Sequence, residues 1–123
     1  AYIATGQETT AVNDLLAISK DISIEMGAEA KYLYAEYLYG QGKYKKSEEN
    51  IMQFINEGTT HQYWLARCFV LLADIYIAQG DDFMGKQYLL SLQENYNADD
   101  DIASLIKVRL DAISAREAEE ILQ

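Results

Sequence analysis

The chain has 123 residues, 20 acidic against 10 basic side chains for a formal charge of −10, and a 50% hydrophobic content, the composition of one globular domain rather than a disordered segment. So large an acidic excess opposes binding to a nucleic-acid backbone or an anionic membrane face, both of which recruit clustered Lys and Arg. No apolar run approaches the ~20 residues that span a bilayer, a lone cysteine (Cys68) excludes an internal disulfide, and a lone histidine (His61) removes the usual metal clusters.

Proline is absent, glycine is scarce, and Ala, Leu, Glu, Lys and Gln are abundant; these residues favour helix, so the expected class is all-α. Residues 1–24 open with Tyr2-Ile3-Ala4-Thr5-Gly6, read as the tail of one helix and a turn, then a second helix carrying Ala11, Leu15 and Ile18. Residues 25–60 give a helix with Tyr34, Ala35 and Leu38 on one face. It closes at Leu38-Tyr39-Gly40-Gln41-Gly42 and is followed by a helix with Ser47, Ile51 and Phe54. Residues 61–98 repeat the scheme: Leu65, Phe69, Leu72, Ala73 and Tyr76, closure at Tyr76-Ile77-Ala78-Gln79-Gly80, then Gly85, Leu89 and Leu92. A last helix over 101–122 carries Ile102, Leu105, Ile106, Leu110 and Ile113 along one side.

Gly6, Gly42 and Gly80 fall 36 and then 38 residues apart, and each is followed five positions later by a small residue and then by two large apolar ones. Glycine closes a helix by taking a left-handed conformation that a Cβ opposes. The small residue lets the next helix approach closely, and the apolar pair seals the hairpin. One hairpin cannot bury its own face, so stacking would supply the core.

With these residues in view, the chain resembles the tetratricopeptide repeat family, whose helix-turn-helix unit is about 34 residues long. The match runs through Ala35, Leu38, Gly42, Tyr44, Ser47, Ile51 and Phe54, and again through Phe69, Leu72, Ala73, Tyr76, Gly80, Gly85, Leu89 and Leu92. The second aromatic departs from the pattern, standing at Phe83 instead of Asp82, and the terminal proline is replaced by Thr59 and Asn97. The longer spacing places extra residues within Asn56 to Gln62. The resemblance implies one right-handed superhelix of antiparallel helix pairs: a partial repeat at 1–24, repeats at 25–60 and 61–98, and a capping helix at 101–122. It also implies a piece of a longer, bacterial repeat protein, of the cell envelope or, alternatively, the cytoplasm.

No constellation for catalysis emerges. Asn95, Asn97, Asp99 and Asp101 alternate like the start of a calcium loop, but neither register supplies the turn glycine or the final Glu, so Asp99 to Asp101 read as a helix cap. Thr59 and Gln62 have capping-box spacing around His61. Cys68 reads as a small buried hydrophobe, and Tyr63 and Trp64 as packing at a repeat joint. Glu48 with Glu49 and Glu119 with Glu120 are adjacent on helices and point apart. The expectation is a non-catalytic protein with no cofactor and no metal.

One pattern suits recognition. Glu29, Tyr32, Glu36 and Tyr39 form a stripe at i, i+3, i+7, i+10, and Arg67, Val70, Asp74 and Ile77 occupy the equivalent stripe 38 residues on. In the family resembled, such positions line a concave groove for protein segments, and tyrosine supplies area and a hydroxyl at low entropy cost. The groove lacks the Lys, Arg and Asn set with which chaperone-binding members hold a C-terminal carboxylate. An acidic, tyrosine-rich groove implies instead a basic protein or peptide segment. The alternative is a structural segment that stacks on neighbouring repeats or on a second copy, forming a homodimer through an edge exposing Val12, Leu15, Leu16 and Ile18.

Overall fold

The computed structural model describes residues 5–21 and 24–122, and among them holds helices without strands: α1 (Thr5–Ile18), α2 (Glu25–Gly40), α3 (Tyr44–Glu57), α4 (Gln62–Ala78), α5 (Asp82–Asn95) and α6 (Ile102–Leu122). The all-α class is therefore observed, and the arrangement is helical-repeat-like. Two compact units divide the chain within α4, residues 1–68 and residues 69–123.

In the first unit α2 packs against both α1 and α3. The α2–α3 turn is a Schellman closure: Lys43 N–H donates to Leu38 C=O at 2.9 Å and Gly42 N–H to Tyr39 C=O at 3.0 Å. Gly42 takes φ +75° there, a conformation that only glycine adopts without strain. Beyond the turn Ser47 lies fully buried and its hydroxyl donates to Ala35 C=O at 2.7 Å. Ile51 and Phe54 follow on the same side of α3, both fully buried, each contributing about 1.5–3 kcal/mol of apolar burial.

The second unit repeats this geometry. Asp81 N–H donates to Tyr76 C=O at 2.9 Å, Gly80 N–H to Ile77 C=O at 3.0 Å, and Gly80 takes φ +82°. Gly85 holds the place of Ser47, with Leu89 and Leu92 buried beyond it. Here the close approach of α5 to α4 is made by omission: a Cβ on Gly85 would stand 3.2 Å from Ala73 C=O and 2.6 Å from Ile77 Cγ1. Tyr76 and Tyr88 stack across the pair at 5.5 Å. Asp81 caps α5, its carboxylate accepting from Met84 N–H at 3.1 Å. The last helix buries Ile102, Ile106 and Ile113 and leaves Leu105 and Leu110 half-buried.

Two local features differ from the sequence reading. Gly6 is helical, within α1, instead of forming a turn. Residues 1–4 lie outside the described residues. Thr59 is not the N-cap of α4, which begins at Gln62; its hydroxyl accepts from His61 N–H at 3.1 Å, a turn two residues ahead of the helix. The cap expected at Asp99 to Asp101 is present: the Asp100 carboxylate accepts from Ile102 N–H at 3.0 Å at the start of α6, and from the Tyr96 hydroxyl.

Candidate interaction surface

The first stripe sits on α2, and the structure ties it to the start of α4 within the first unit. Tyr32 is 5% exposed, so its ring is a packing element rather than an open anchor. Its hydroxyl donates to Glu36 Oε2 at 2.6 Å, one helical turn along, and accepts from Arg67 Nη2 at 3.0 Å. Arg67 Nη1 donates to the Tyr63 hydroxyl at 2.8 Å, and the guanidinium lies 4.9 Å from the Tyr32 ring centre. The Trp64 ring closes the group, 5.7 Å from Tyr32 and edge-on to Tyr63 at 5.0 Å.

The electrostatics follow from this packing. Burial pushes the Tyr32 hydroxyl well above its ordinary range, and donation to Glu36 pushes it the same way, against the opposing pull of Arg67. Tyr32 is thus a neutral phenol fixed between a carboxylate and a guanidinium. Nearby Cys68 is fully buried, and burial drives its thiol up to about 12, against the opposing charges of Lys31 and Arg67. A thiol so held is not a nucleophile at neutral pH.

The remaining stripe residues have differing environments. Glu36 is exposed, while Glu29 and Tyr39 are half-buried, with the Tyr39 ring 5.5 Å from that of Tyr44. In the second unit Val70 is 3% exposed and belongs to the core. Asp74 is half-buried and bound by both Nε and Nη2 of Arg109, at 2.7 and 2.9 Å. Ile77 packs over Gly85. The structure thus joins Tyr32, Glu36 and Arg67 directly and gives Val70, Asp74 and Ile77 packing or pairing roles. The reading from sequence missed the contacts of Tyr63 and Trp64 with this group; the i, i+4 spacing of Tyr63 and Arg67 was the available signal.

Among the described residues no helix is long and apolar enough to cross a membrane, and no group of three or more His, Cys, Asp or Glu is placed to hold a metal ion. No protein-family model, curated protein or solved structure matches the chain.

Proposed function

We propose that the chain is a non-catalytic interaction module of the tetratricopeptide kind that binds a basic protein segment along α2, through Glu29, Glu36 and Tyr39. The observation that carries this reading is the way Glu36 is presented: an exposed carboxylate oriented by a buried tyrosine, which Arg67 in turn holds. A group fixed before binding loses little freedom on binding, so more of its charge pairing appears as affinity. The two hairpins close through the same turn geometry, which supports a right-handed solenoid. The test is capture from a lysate of the source organism by wild type and by a Glu36→Lys, Tyr39→Ala variant of unchanged circular dichroism. A partner lost only with the variant is the expected result; a partner retained equally by both refutes the assignment to α2.

A second reading, a segment that stacks on copies of itself, draws on Leu16, Ile18, Ile24 and Met26, all exposed in the first unit. Apolar edges of this kind drive association. It predicts a mass that rises with concentration in sedimentation equilibrium, and a constant monomer mass refutes it.

A further inference from the structure

Two positions past its turn glycine the first hairpin carries Tyr44, half-buried beside Tyr39. The second hairpin carries Asp82 there and sets its aromatic one residue later, at Phe83. One residue is a rotation of about 100° around a helix, and Phe83 is accordingly 68% exposed. It does not stand alone: it borders a cleft of about 460 Å³ lined also by Ile113, Lys86, Glu117 and Glu120. That volume is of the order of small-ligand pockets; the fully buried Ile113 closes its base, and the exposed Phe83 ring gives it apolar surface.

The charges around this cleft are unequally committed. Asp82 accepts from Nε and Nη2 of Arg116 at 2.7 and 3.2 Å, and Glu117 pairs with Lys86 at 3.3 Å. Glu120 has no ion pair among the described residues. A cleft with an exposed aromatic face and one uncommitted carboxylate at its border matches a long side chain with a flat cationic head.

We propose that this cleft docks an arginine side chain of an extended basic peptide. The stem lies in the cleft above Ile113, and the guanidinium faces Phe83 while pairing with Glu120. Arginine fits better than lysine because its planar, weakly hydrated head stacks on an aromatic ring and forks onto a carboxylate. The net charge of −10 favours the encounter with such a peptide. This site is separate from the α2 surface and stands whether or not that surface binds.

The experiment is a titration of the isotope-labelled full chain with the blocked peptide Gly-Arg-Arg-Gly, followed by amide resonances. Its controls are the peptides with citrulline or lysine in place of arginine. Saturable shifts centred on Phe83, Ile113 and Glu120 are expected, absent with citrulline and weaker with lysine. Phe83→Ala and Glu120→Gln, both at exposed positions, should each weaken binding roughly threefold to tenfold, whereas Glu57→Gln on α3 should leave it unchanged. No saturable shift, or shifts spread over the acidic surface and reduced equally by Glu57→Gln, would overturn the proposal.

Discussion

Replacing Gly85 by alanine sets two known effects against each other. Alanine is favoured over glycine in a helix interior by about 0.8–1.0 kcal/mol, so Gly85→Ala would stabilise α5 if there were room. The structure leaves none: the new Cβ would lie 2.6 Å from Ile77 Cγ1, a contact that cannot persist. Ile77 is β-branched and has one strongly preferred rotamer in a helix, so relief requires the helices to shift, at about 1–3 kcal/mol. The net expectation is destabilisation by roughly 0–2 kcal/mol. The decisive measurement is the same substitution in an Ile77→Ala background. There the remaining close contact is with Ala73 C=O at 3.2 Å. The first unit accepts a Cβ at this point, since Ser47 sits beside Ala35 C=O. In that background Gly85→Ala should therefore stabilise, by up to about 1 kcal/mol. Urea unfolding of the four proteins gives the cycle directly. The same change in both backgrounds, or stabilisation of the wild type by the full propensity difference, would refute the argument from the Ile77 contact.

Leu72→Ala removes a side chain with no exposed surface and should cost about 2–5 kcal/mol in urea unfolding; a loss below about 1 kcal/mol would mean that the site collapses around the change. Tyr32→Phe keeps the ring but removes the hydroxyl between Glu36 and Arg67, and should cost roughly 1–3 kcal/mol at pH 7. Because the folded state holds the Tyr32 proton more tightly than the unfolded chain, its contribution is complete below the ordinary tyrosine value of 10.0 and is lost as pH rises beyond it. The stability of Tyr32→Phe should therefore decline less steeply above that pH; parallel slopes would count against a buried phenol. Cys68 obeys the same sign: its thiol is raised from 9.0 to about 12, so wild type should lose stability across that interval more steeply than Cys68→Ala. Native protein at pH 8 should also resist a disulfide-exchange reagent until denatured, and rapid labelling would show Cys68 to be accessible.

The hairpins were legible because their rule is local. Gly42 and Gly80 are needed where a backbone turns left-handed, and Ser47 and Gly85 where two helices cross, so spacing alone locates them. Ile51, Phe54, Leu89 and Leu92 follow by helical periodicity, and all are buried. Gly6 misled because the same letter pattern can fall within a helix as well as end one. Which face a residue takes was harder to read. Tyr32 and Val70 lie on stripes that miss the apolar faces of their own hairpins, yet both are buried. Single-helix periodicity says nothing of burial imposed by other helices. The pairing of Asp74 with Arg109 joins residues 35 positions apart, and no rule of spacing within one helix could propose it. The Phe83 shift was visible as a departure from the repeat, but only the rotation of its ring into solvent gave that departure meaning.

The chain has a single tryptophan among ten tyrosines, and its position makes it an optical gauge. Trp64 lies within 6 Å of the Tyr32 and Tyr63 rings, with centroid distances of 5.7 and 5.0 Å. Its indole N–H is buried without a hydrogen-bond partner among the described residues. Tyrosine excitation at such distances passes to tryptophan, and an indole in these surroundings emits toward the blue. A cationic ligand paired with Glu36 would bring its charge beside the same aromatic group, altering both the transfer and the emission maximum. Binding at α2 could then be followed in unlabelled protein, with Trp64→Phe as the silent control.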